Sequence, residues 1–147
     1  MSKILSGKKV HYTDLNARQK ENYNFQKFAG KLADYGYNCI RLNDDWQGAD
    51  FIACHIDGDE FLKVQLKGRF SIAKKYVGKN IYIAFIDTDE SYYIYPHDET
   101  VRKIFSLDKV ENTDSWKNTG AYDWPHLPNW AITLLRPHKM KTRRRRT

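Results

Sequence analysis

Asp50-Phe51-Ile52-Ala53-Cys54-His55-Ile56, then Asp57-Gly58-Asp59-Glu60, then Phe61-Leu62-Lys63-Val64-Gln65-Leu66-Lys67 is one continuous run, and it reads as strand, tight turn, strand. The turn signal is Asp57-Gly58, because an Asp-Gly pair supplies the positive φ angles that short hairpins require. Side chains switch sides at every strand residue, so Leu62, Val64 and Leu66 share one face while Lys63, Gln65 and Lys67 share the other. A polar strand face is ordinarily a solvated one. Here the hairpin adds something: it returns the chain alongside itself, so an acid at the start of the first strand lies near the end of the second. Asp50 and the Gln65/Lys67 pair are thereby predicted to meet despite fourteen intervening residues.

Working outward on the N-terminal side, Thr13 or Asp14 is placed to cap a helix running to about Tyr35, which Gly36 would end in a left-handed conformation. Phe25, Phe28 and Leu32 recur at helical spacing with Ala29 and Ala33 beside them, which predicts a buried face. Asn38 to Leu42 reads as a strand, and Asn43-Asp44-Asp45-Trp46-Gln47-Gly48 as a turn-rich loop. On the C-terminal side, residues 68–79 read as a basic loop in which Arg69, Lys74, Lys75 and Lys79 interleave with Phe70 and Tyr76. Ile81 to Ile86 and Tyr92 to Tyr95 form a second antiparallel pair. Pro96 stops the last of these strands, and His97 to Phe105 follows as a short helix. From Val110 to His126 the pattern weakens into an irregular segment that Trp116, Tyr122, Trp124 and Trp130 would dock on the body. Pro128 suits the first turn of a closing helix through Leu135. The order gives a single α/β domain, a central mixed sheet of four to five strands flanked by helices.

A chain of 147 residues with 41% hydrophobic content can bury a core, and its apolar runs are far too short to span a bilayer. The N-terminus has no apolar segment of signal-peptide length. Cys39 and Cys54 sit inside apolar runs and read as reduced, buried thiols of a cytoplasmic protein. The formal charge of +7 is concentrated at one end: seven basic and no acidic residues occur from Arg136 on, which leaves residues 1–135 formally neutral. The expected division is a compact body over 1–135 and a basic tail over 136–147. Arg143, Arg144, Arg145 and Arg146 in that tail suit phosphate contacts that are blind to sequence.

An acid, an amide oxygen and an ammonium group on neighbouring strands suit phosphodiester hydrolysis, which needs hard oxygen donors for a divalent ion and a cation near water or phosphate. Asp50-x14-Gln65-Leu66-Lys67, crossing a hairpin after a helix–strand unit, resembles the PD-(D/E)xK nuclease superfamily, with glutamine in place of the second acid and Ala49 in place of the usual proline. The stretch Gln65 to Arg69 is similar to intron-encoded homing endonucleases of that fold and to Holliday-junction-resolvase-like nucleases. The resemblance covers roughly residues 14–97. It implies a restriction-endonuclease-like fold, DNA as substrate, and catalysis by Asp50, Gln65 and Lys67. Many members carry a further acid on the first helix, and Glu21, in phase with Phe25, Phe28 and Leu32, is the candidate, with Asn24 as fallback. Asp50, Gln65 and Glu21 would then hold Mg²⁺ or Mn²⁺. Asp44 and Asp45 read as loop acids rather than ligands. Arg69, Lys74, Lys75 and Lys79 would meet DNA phosphates, together with the arginine tail. One site per chain implies a homodimer for cutting both strands. The alternatives are a non-catalytic nucleic-acid-binding protein on the same fold, or an RNA-associated basic protein.

Overall fold

A computed structural model of the chain describes residues 2–110 and 112–141, all with side chains except Asp45 and Trp46. In chain order the elements are α1 (Ala17–Ala33), β1 (Tyr37–Trp46), β2 (Ala49–His55), β3 (Phe61–Lys67), β4 (Phe70–Ala73), β5 (Ile81–Ile86), β6 (Tyr92–Pro96), α2 (His97–Ser106), β7 (Ala121–Trp124) and α3 (Asn129–Leu135). The main sheet runs β1-β2-β3-β5-β6, antiparallel throughout except for the parallel β3–β5 pair; β4 and β7 form a second, two-stranded sheet. The expected α/β architecture around a mixed sheet is therefore the observed one.

The main sheet has a core on each face. Phe28 and Leu32 of α1 pack on Phe51, Ala53, Leu62, Val64 and Ala84. On the other face Phe70, Ile72, Tyr76, Ile83, Phe85, Tyr95, Ile104, Trp116 and Leu135 interlock. Ala29 is half-buried and Ala33 exposed, so the buried stripe of α1 is narrower than its spacing predicts. The helix is capped not by Thr13 or Asp14 but by Asn16, whose Oδ1 accepts from the Gln19 N–H while Gln19 Oε1 accepts from the Asn16 N–H, both at 2.9 Å. This reciprocal box satisfies two of the helix's orphan donors, which the isolated turn Tyr12–Asp14 could not do.

Two further expectations are corrected. The predicted loop at 43–48 is mostly strand: β1 extends to Trp46, with a register shift after Arg41, and pairs Trp46 with Ala49. Gln47 (φ 54°) and Gly48 (φ 83°) close that hairpin with two left-handed residues, the two-residue turn that matches strand twist. The predicted basic loop at 68–79 is also ordered. Its apolar residues Phe70, Ile72, Ala73 and Tyr76 are buried, because β3 and β5 are parallel and the chain between them must cross one face of the sheet. Phe70 stacks on Trp124 of β7 at 4.6 Å, which brings the segment expected to be irregular into a strand. Pro128 stands just before α3, not within its first turn. The cysteines are half-buried and not joined by a disulfide. Residues 136–141, assigned from sequence to the tail, lie against the body: Tyr93 bridges to Lys139, the Met140 N–H donates to the Tyr92 carbonyl at 2.8 Å, and the Lys141 N–H donates to the Tyr35 hydroxyl at 2.6 Å. Arg143, Arg144, Arg145 and Arg146 lie outside the described residues.

Candidate functional site at the parting of two strands

The β2–β3 ladder holds from Cys54↔Phe61 to Phe51↔Val64, and one further step of this register sets Asp50 opposite Gln65 on one face. There the strands part. The Leu66 N–H, two residues beyond Val64, donates to the Asp50 carboxylate at 2.8 Å, so a side chain stands where a strand carbonyl would be expected. This bond fixes the orientation of Asp50. Gln65 and Lys67, of the same parity on β3, follow on the face that Asp50 shares.

A cavity of about 630 Å³ opens at this point, within the size range of ligand sites. Asp50, Gln65, Lys67 and Glu21 all line it, so the four residues singled out from sequence converge from α1, β2 and β3. Asp50, Gln65 and Lys67 are half-buried; Glu21 is exposed at the cavity rim. Asn24 also lines the cavity, with its amide donating to the Tyr12 hydroxyl at 2.9 Å. Asp44, expected to be a loop acid, is a β1 residue on the same cavity; the Asp45 side chain lies outside the described residues. Among the described residues no group of three His, Cys, Asp or Glu side chains is placed to hold a metal ion. The oxygen donors lining the cavity are mixed, the carboxylates of Glu21, Asp44 and Asp50 with the amides of Asn24, Asn43 and Gln65, hard donors of the kind a divalent cation takes.

Sequence reasoning missed three residues here. Arg18 and Arg41 line the cavity; Arg41 donates to Asn22 Oδ1 at 2.6 Å and its guanidinium covers the Phe25 ring at 5.1 Å. Arg18 offered a signal, since a cation in the first turn of a helix opposes the helix dipole and gains nothing locally. The third is Tyr76. Its buried ring carries the Lys67 ammonium at 5.3 Å and that of Lys75 at 5.1 Å, so part of the basic segment stands beside the cavity. Lys63 donates to the Lys79 carbonyl, which ties the end of that segment to β3. Lys74 lies over Trp116 at 5.6 Å, and Arg69 faces Asp123 at 3.5 Å, both on the β4–β7 side.

The crossover segment is held by a second polar cluster. The fully buried Tyr95 accepts from the Ser71 N–H at 3.3 Å and donates to the Ser71 carbonyl at 2.6 Å. His97, also fully buried, accepts from the Ala73 N–H through Nε2 at 3.1 Å and meets Asp98 through Nδ1 at 3.0 Å. Asp98 accepts from the Gly78 N–H at 2.9 Å. Burial lowers the imidazole pKa from its ordinary 6.5, against the opposing pull of Asp98.

No protein-family model matches the chain, and no curated protein does. Among solved structures, the chain is similar to a Holliday junction resolvase from the archaeal hyperthermophile Archaeoglobus fulgidus (16% identity, TM-score 0.46, covering 54% of this chain and 74% of that one). It is also similar to a bacterial homing endonuclease (17% identity, TM-score 0.43, covering 57% and 67%). Both overlaps are partial.

Proposed function

We propose that the chain is a metal-dependent endonuclease that hydrolyses DNA phosphodiester bonds at the cavity where β2 and β3 part. One observation supports this reading above the others: Asp50, Gln65, Lys67 and Glu21, distant in sequence and borne by three elements, line one cavity. The carboxylates of Asp50 and Glu21 and the Gln65 amide would hold Mg²⁺ or Mn²⁺. When bound, such an ion supplies a nucleophile at neutral pH and offsets charge on the phosphate. The rest falls to the protein. The Leu66 N–H holds the Asp50 carboxylate in one orientation, so little reorganisation is needed when substrate arrives. Lys67, steered by the Tyr76 ring, places an ammonium where it can orient water or meet developing phosphate charge. Lys75 and Arg18 draw the DNA backbone toward the same opening. A single such cavity per chain would cut one strand at a time, so a double-strand break calls for a homodimer.

A non-catalytic DNA-binding protein on the same fold is the second reading, favoured by the Gln65 amide and by the lack of a three-acid cluster among the described residues. Cleavage of supercoiled, linear and branched DNA with Mg²⁺ or Mn²⁺ separates the two. Wild-type protein should cut, whereas Asp50→Asn and Lys67→Ala should each lose about a hundredfold to a thousandfold in rate, the scale for removing one preorganised charged group. Their DNA affinity in EDTA should stay within a few-fold. Wild type that cuts nothing would leave the second reading standing, and variants that cut at the wild-type rate would remove the cavity from the chemistry.

A further inference from the structure

A second cavity, of about 580 Å³, shares Asn24, Lys67 and Gly68 with the first and continues it along α1. One wall carries Tyr23 and Lys27 of α1 and Tyr12 from the turn before it. Tyr12 and Tyr23 stand with ring centroids 5.3 Å apart, each 40% exposed. Three ammonium groups cover three rings: Lys20 over Tyr12 at 5.3 Å, Lys27 over Tyr23 at 5.5 Å and Lys31 over Tyr92 at 5.3 Å. Lys20, Tyr23, Lys27 and Lys31 fall at helical spacing, so they form one stripe on α1. From Lys20 to Lys31 the stripe is roughly 16 Å long, the length of four or five stacked nucleotides at ~3.4 Å each. The opposite wall is acidic, with Asp87 and Glu90 from the β5–β6 turn.

We infer that this second cavity binds an unpaired DNA strand leaving the cleavage site, with a base stacked on the Tyr12–Tyr23 pair and its phosphates along Lys27 of the lining and Lys20 and Lys31, which flank it on α1 outside the lining. The inference rests on the nuclease reading for the choice of DNA. Charge decides the orientation: a phosphate is repelled by Asp87 and Glu90 and drawn to the lysines, while those acids can accept hydrogen bonds from base amino or imino groups. Exposed rings decide the strandedness. Bases in a duplex are stacked on each other and offer no face to a tyrosine, whereas an unpaired base does. Asn24 joins the two cavities, since its amide lines both and holds the Tyr12 hydroxyl at 2.9 Å. Asn24, Lys67 and Gly68 thus set the two cavities side by side.

The test is fluorescence anisotropy of the full chain in EDTA, with a labelled duplex and the same duplex carrying a single-stranded oligothymidine arm. Wild type should bind the armed duplex more tightly. Tyr23→Ala combined with Lys27→Ala should lose about tenfold on the armed duplex, the scale of one stacked base, and less than about twofold on the plain one. Tyr23→Phe, which keeps the ring, should behave as wild type. No preference by wild type, or an equal loss on both DNAs, overturns the inference. Because no cleavage is read, the two proposals fail separately. A wild type that prefers the arm but never cuts with metal sinks the nuclease and leaves the strand-binding cavity; one that cuts without the preference does the reverse.

Discussion

Two polar clusters lie on either side of the crossover from β3 to β5, and they are built on opposite terms. In the Tyr95–His97–Asp98 cluster, strand and turn N–H groups at Ser71, Ala73 and Gly78 each find a side-chain acceptor, and the two ring-bearing residues are sealed from water. In the Asp50–Gln65–Lys67 cluster the Leu66 N–H orients the Asp50 carboxylate, and all three half-buried side chains line an open cavity. Both use the same device, a side chain accepting a strand N–H. The difference lies in what is left over. A network whose rings are buried and whose bonds are mutual stabilises a fold and has little to offer a ligand, whereas half-buried polar side chains lining an open cavity are placed for chemistry and contribute little stability.

The largest expected effect breaks the sealed cluster. His97→Ala removes a fully buried ring and leaves the Ala73 N–H without its acceptor. The cavity and the orphaned donor together should cost about 2–4 kcal/mol. For a chain of this size that is a fall of roughly 10 °C in Tm, read by calorimetry. DNA cleavage per folded molecule, measured well below the new Tm, should change far less than in Asp50→Asn. If His97→Ala left Tm in place but abolished cutting, the division of roles drawn between the clusters would be reversed.

The two ends of the β2 hairpin pair give a smaller, sharper contrast. Gly48 (φ +83°) closes the β1–β2 turn against Ile81 and Tyr76, and Gly58 (φ +78°) closes the β2–β3 turn in open space. A side chain at either must adopt the left-handed region, at about 1 kcal/mol. At Gly48 a Cβ would also stand 2.7 Å from Ile81 Cδ1 and 3.2 Å from the Tyr76 ring that supports Lys67. Gly48→Ala should therefore destabilise by about 1–2 kcal/mol and Gly58→Ala by less, with unchanged m-values in urea. Equal losses would mean that the hairpin tip and Tyr76 are not packed as described.

How far sequence reached into this molecule follows from which interactions are local. The β2–β3 hairpin was legible because period-two alternation and Asp57-Gly58 are written in consecutive residues, and its register carried Asp50, Gln65 and Lys67 with it. The turn at Gln47-Gly48 was not, because glutamine rarely takes a positive φ and the hairpin is closed by strand pairing instead. β4 was hidden for a different reason. Its short alternation, Phe70 and Ile72, sits among lysines, and only Trp124, more than fifty residues on, makes it a strand. Arg41 and Asp44 reach the cavity from β1 by strand pairing, which no local pattern states, whereas Arg18 left a local trace as a cation in the first turn of α1.

The smallest effect is a change of slope with pH. Nε2 of His97 already faces the Ala73 N–H, so a second proton on the ring would set two donors against each other, and burial further disfavours the charge. The folded-state pKa lies below the unfolded 6.5, so the unfolded chain binds the proton first as pH falls. The stability this group contributes is complete above about pH 6.5 and is lost as pH falls through that value toward the folded-state pKa. His138 is lowered too, by burial, and titrates in the same direction. The carboxylates held low, such as Asp98, respond only in more acid solution. Tm measured between pH 7.5 and 5.5 should decline on acidification, and His97→Gln, whose amide oxygen can accept from Ala73 without titrating, should flatten the decline. A His97→Gln slope equal to that of wild type would mean that His138 alone carries the pH response, and that the sealed cluster tolerates a charge its geometry forbids.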